Sequence, residues 1–184
     1  MRSVPLLPLL LLRGGRYDAR RPGEVRPGIA LPGGAIIAWS LLAWAGFFAT
    51  LVVSWLAAFA YWRGITRLPL ATTLGGLLLR GRSAPRLRAL VGGLAHVVLG
   101  TLAFPAVYAL IFELAGRTDV RLGALLGAGH ALLAGLALPA AWRGARQEGR
   151  AGIFGWRLGR VTPPGLIAAH VLYGVLLAYI YVAP

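Results

Sequence analysis

Three histidines, His96, His130 and His170, are the residues of this 184-residue chain best placed to do chemistry. Each lies inside a different long apolar run, where an ionisable side chain is expensive and marks function by default. His96 and His170 are each followed four residues later by a glycine, Gly100 and Gly174, on the same face of a helix. Three uses fit this pattern. His96 and His170 could ligate the iron of a haem b, with Gly100 and Gly174 leaving room for the porphyrin. The three histidines could instead form a proton or ion path. Or they could serve as polar glue, hydrogen-bonding across helices to Thr50, Ser54, Tyr108 or Tyr173.

Other chemistry is poorly supplied. The chain has no cysteine, which excludes disulfides, thiolate metal sites and iron–sulfur clusters. Its acids are Asp18, Glu24, Glu113, Asp119 and Glu148, and none lies deep in an apolar run. The nucleophile-elbow, zincin, Walker A and dinucleotide-binding patterns are missing. The expectation is a non-enzymatic protein with no catalytic residue and no metal site, and with haem b as the one cofactor to consider.

The elements that must position the histidines follow from composition. Hydrophobic residues make up 58% of the chain and charged residues 13%, against about a quarter charged in ordinary soluble domains; the mean hydropathy is +0.73. This describes an integral membrane protein. Four runs, at about 35–62, 89–114, 122–142 and 165–182, are long enough to cross a hydrocarbon core of roughly 30 Å. In lipid each must satisfy its own backbone hydrogen bonds, so each is a helix. The expected fold is an all-α transmembrane four-helix bundle over residues 35–184. Residues 68–79 are apolar but too short to span, and read as an interfacial or half-buried segment.

Residues 1–34 form an Arg/Gly/Pro-rich N-terminal arm without the makings of a core. The 19 basic residues are all arginine, which suggests a GC-rich bacterial genome and hence a bacterial inner membrane. Eleven sit in two loops: Arg63, Arg67, Arg80, Arg82, Arg86 and Arg88, then Arg143, Arg146, Arg150, Arg157 and Arg160. Eight lie on the other side of the bundle, so the positive-inside rule puts both loops in the cytoplasm and both termini outside. The arginines are expected to meet anionic lipid head groups or an acidic partner protein. Charge confined to short blocks between apolar runs argues against nucleic acid.

An internal repeat is also suggested. Ala95-His96-Val97-x-x-Gly100 matches Ala169-His170-Val171-x-x-Gly174, and Ala60-x-Trp62-Arg63-Gly64 matches Ala140-x-Trp142-Arg143-Gly144. Gly81-Arg82-x-x-Pro85 echoes Gly159-Arg160-x-x-Pro163. Two tandem parallel two-helix units would be related by an axis along the membrane normal. Gly123-x-x-x-Gly127 and Gly92-x-x-x-His96-x-x-x-Gly100 predict close helix packing, and Pro105 and Pro139 predict kinks. Trp39, Trp44, Trp62, Trp142, Tyr179 and Tyr181 fit an aromatic belt.

The stretch from Ile153-Phe154-Gly155 to Pro163, with Ala169-His170-Val171-Leu172-Tyr173-Gly174 and Gly46-x-x-Ala49-Thr50-x-x-x-Ser54, resembles the YagU-like and related small bacterial inner-membrane families of unknown function. The resemblance covers about residues 35–182; it implies four helices and supplies no activity. The leading expectation is a structural or accessory subunit of a larger membrane complex of respiratory or photosynthetic type. A haem-binding or proton-conducting bundle is the alternative, and a small-solute transporter a further one.

Overall fold

Alternating long apolar runs and short arginine-bearing loops leave the chain one economical solution, a set of membrane-length helices running up and down. The computed structural model describes residues 28–30, 36–80 and 83–182. Among the described residues, four helices are long and apolar enough to cross a membrane. The first span is α1, Trp39–Trp62; the second runs Pro85–Ala115; α5, Val120–Gly144, is the third; α6, Thr162–Val182, is the fourth. The architecture is an all-α membrane bundle, as composition dictates. Much of each span's apolar surface faces outward, including Trp55, Leu90, Leu133 and Tyr179, as suits a lipid solvent.

The first span begins later than hydropathy suggests. Gly28–Ala30 and Ile36–Ala38 pair as a short antiparallel hairpin with Ile29 opposite Ile37, so residues 36–38 are extended and the helix starts at Trp39. The remainder of the expected arm lies outside the described residues.

The apolar segment in the first long loop is the helix α2, Leu70–Leu78. It folds back on α3, Pro85–Val98, the first part of the second span. Gly75 and Gly92 make this possible: a Cβ on either would overlap backbone of the other helix, at Arg88 and Ala71. The second span continues through a π turn, Leu99–Ala103, into α4, Phe104–Ala115. Gly116 ends α4 in the left-handed conformation, with Arg117 N–H donating to the Phe112 carbonyl, a glycine-closed helix end. Asp119 then caps α5 by accepting from the Leu122 N–H at 2.9 Å.

The two arginine-rich loops share one end of the bundle. Arg67 N–H donates to the Leu158 carbonyl at 2.9 Å, the Thr66 and Thr162 hydroxyls meet at 2.7 Å, and Gly76 packs on Ala145.

Helix contacts are unequal. α1 packs closely on α6, and α6 on α5, whereas the α4 backbone barely approaches α5. The main core joins Leu42, Ala45 and Ala49 of α1 to Tyr108 and Phe112 of α4 and to Tyr173 and Leu177 of α6. The expected repeat meets a mixed geometry. Gly100 faces α1 and Gly174 faces α5, each the first helix of its own pair. Trp62 is 78% exposed, however, while its counterpart Trp142 is 6% exposed, and the close α1–α6 packing has no equivalent between α4 and α5.

Candidate functional site

Pro105 sets the geometry within the second span. Proline has no N–H, and its ring crowds the carbonyl four residues back. The helix responds by widening, so that Phe104 N–H bonds to the Leu99 carbonyl five residues away. The Gly100 carbonyl has then lost its donors, since Phe104 is engaged elsewhere and Pro105 has none to give. Tyr173, on α6, supplies the replacement: its hydroxyl donates to the Gly100 carbonyl at 2.7 Å, fully buried. Gly46 of α1 lets this irregular turn approach, because a Cβ there would strike Pro105 and the Gly100 and Thr101 carbonyls.

Around this bond the ionisable side chains converge. The Tyr108 ring stands edge-on to Tyr173 at 5.8 Å, and its hydroxyl lies 3.4 Å from His130 Nδ1. His130 crosses the gap between α5 and α4 to lie against Phe104, with ring centroids 4.0 Å apart. His170 meets His130 edge to face at 4.5 Å. His170 Nδ1 donates to the Leu166 carbonyl at 2.8 Å, which fixes the proton on that nitrogen and leaves Nε2 free to accept. The buried Nε2 of His96 has no hydrogen-bond partner among the described residues. Thr50 and Ser54 of α1 and Thr101 of the π turn likewise bury hydroxyls that have no partner among the described residues.

His170 lies eight residues into α6 and His130 ten into α5. At about 1.5 Å per residue, each lies roughly 12–15 Å along its helix from the start, well inside a segment of membrane-spanning length.

Comparison with protein-family models, with curated proteins and with solved structures finds no match to this chain. The site must speak through its own geometry.

Gly100 and Gly174 do not open space for a porphyrin. A Cβ at Gly100 would overlap the Thr50 side chain, and one at Gly174 would overlap the Gly123 carbonyl. Both glycine faces are filled by neighbouring helices, which leaves no porphyrin space at those two positions. Arg143, Arg150 and Arg157 line a common cleft, whereas Arg63 sits over the Phe59 ring at 5.7 Å. Arg82 lies outside the described residues.

The sequence pattern missed Phe104, Thr101 and the part played by Pro105. The available signal was a proline one π turn after Gly100, since a missing N–H must orphan a carbonyl somewhere upstream.

Proposed function

We propose that this multi-pass membrane protein is a non-enzymatic proton carrier that works through the His130–His170–Tyr108–Tyr173 cluster. The convergence of two histidines and two tyrosines from three spans supports this reading. So does the incompleteness of their bonding. Polar groups kept as glue should be saturated, because an unmade buried hydrogen bond is costly. Here the Tyr108–His130 contact, at 3.4 Å, lies beyond the usual range. Such a network holds donors and acceptors in reserve, as a proton relay requires.

The test is proton uptake into proteoliposomes under a potassium diffusion potential, followed by an internal pH dye. Uptake should exceed that of empty vesicles, and His130→Phe and Tyr108→Phe should return it to that background. Wild-type protein no faster than empty vesicles would sink the proposal.

A second reading, membership of a larger bacterial inner-membrane complex, draws on α1. Trp44, Phe48, Leu51, Trp55, Phe59 and Trp62 lie on one outward face at helical spacing and are all exposed, a surface suited to another helix. A native mass equal to one chain after gentle extraction would count against it. In either reading we place the two arginine-rich loops in the cytoplasm. The cysteine-free sequence allows a clean check: a single cysteine at Arg146 should resist impermeant thiol reagents in intact cells, and labelling there would reverse the orientation.

A further inference from the structure

The loop that joins α5 to α6 builds a site of its own. Pro139, Trp142 and Arg143, at the end of α5, face Arg150, Ala151, Gly152, Trp156 and Arg157 across a cleft of about 360 Å³, within the size range of small-ligand sites. The loop is held rather than draped. Phe154 adopts a left-handed conformation, φ 52°, which is uncommon for an aromatic residue, and its ring fills the face of Gly135 on α5. Trp142 Nε1 donates to the Glu148 carbonyl at 3.1 Å, and Arg157 N–H donates to the Ala151 carbonyl at 3.0 Å.

Gly152 then sets the wall of the cleft. Its φ of 74° favours glycine, and a Cβ would overlap the Trp156 indole lying against it. The Arg157 guanidinium is stacked over that indole at 4.8 Å. Among the described residues none of the three cleft arginines pairs with a carboxylate; the ion pair there is Arg117 with Asp119, at the opposite end of the bundle.

We propose that this cleft binds the phosphodiester head group of an anionic phospholipid. Three converging arginines match the charge and the acceptor oxygens of a phosphate. Trp142, Trp156 and Pro139 give the apolar wall that an acyl chain would follow, at the level where α5 leaves the membrane. A free phosphate offers the same oxygens without the chain, and the experiment separates the two.

The full-length protein in zwitterionic detergent is titrated with phosphatidylglycerol, with phosphatidylcholine and with inorganic phosphate, and bound lipid is read by native mass spectrometry. Phosphatidylglycerol should be retained over phosphatidylcholine, with no displacement by phosphate. Arg143→Gln, Arg150→Gln and Arg157→Gln should each weaken retention by about tenfold, the loss expected for one charge-assisted hydrogen bond. Gly152→Ala changes no charge but displaces Trp156, and should weaken retention as well; thermal melts confirm that each variant is folded. Arg63→Gln, over Phe59, should have no effect. Equal retention of phosphatidylcholine, displacement by phosphate, or an equal loss with Arg63→Gln would each overturn the proposal.

Discussion

The two seams that α5 makes with its neighbours are built on opposite plans. Along one face of α5, Gly123, Gly127, Ala131 and Gly135 recur every four residues and are all buried. Gly123 and Gly127 lie directly against the α6 backbone at Gly174, His170 and Val171. Toward α4 the backbones stay apart, and Phe104, Tyr108 and His130 fill the interval. Small residues let helices touch and gain dispersion energy where lipid offers no hydrophobic drive. Large ones hold the helices apart and create the space in which ionisable side chains meet. The first seam is scaffold, and the second is where chemistry can be housed.

Breaking the close seam should have the largest effect. Gly174→Leu puts a side chain into the Gly123 carbonyl, so α5 and α6 must separate. The expected loss is about 3 kcal/mol or more, at or above the upper end of overpacking costs, read as a fall in unfolding midpoint in detergent. A change within experimental scatter would mean the helices are not in backbone contact.

The bond from α6 to the second span should respond more gently. Tyr173→Phe strips the Gly100 carbonyl of its replacement donor, at a cost of about 0.6 and up to ~2 kcal/mol, the range for hydrogen bonds between membrane helices. Pro105→Ala restores an N–H to the second span, so Tyr173→Phe should cost less in that background. Simple additivity in this double-mutant cycle would break the link drawn between Pro105 and Tyr173.

The smallest effect lies at the turn joining α4 to α5. Asp119→Ala should cost roughly 0.5 kcal/mol, the low end for an exposed cap, whereas Asp119→Asn should keep the bond. The Leu122 N–H, helped by Arg117, holds the Asp119 carboxyl below its ordinary 3.8. A lowered folded-state value means that the stabilisation is complete above that ordinary value and is lost as pH falls through the lowered one. Asp119→Asn should therefore flatten the acid limb of stability against pH; an unchanged limb would assign it to other groups.

Much of the bundle is legible from residue types and their order along the chain. The apolar runs give four spans to within a few residues, and the short segment at 68–79 reads as non-spanning, which α2 is. The start of α1 is misread because residues 36–38 pair with residues 28–30, a contact no window of hydropathy contains. The glycine four residues after each histidine is legible as a pattern, but its use is not. Whether Gly100 faces a ligand or Thr50 depends on how α1 is rotated about its axis.

The sequence by itself therefore determined that four runs of residues 35–182 are apolar and long enough to cross a membrane, that many of its arginines gather in the connecting loops, and that three histidines lie within the spans. Those properties depend on the transfer of each residue between water and hydrocarbon, which is local and additive along a helix. Only the tertiary structure decided that His130 and His170 touch, that Tyr173 completes a helix broken by Pro105, and that three arginines share one cleft. Lipid wets every apolar face about equally, so hydropathy cannot orient one membrane helix against another. Packing does so instead, through pairs of small and large side chains far apart in the sequence.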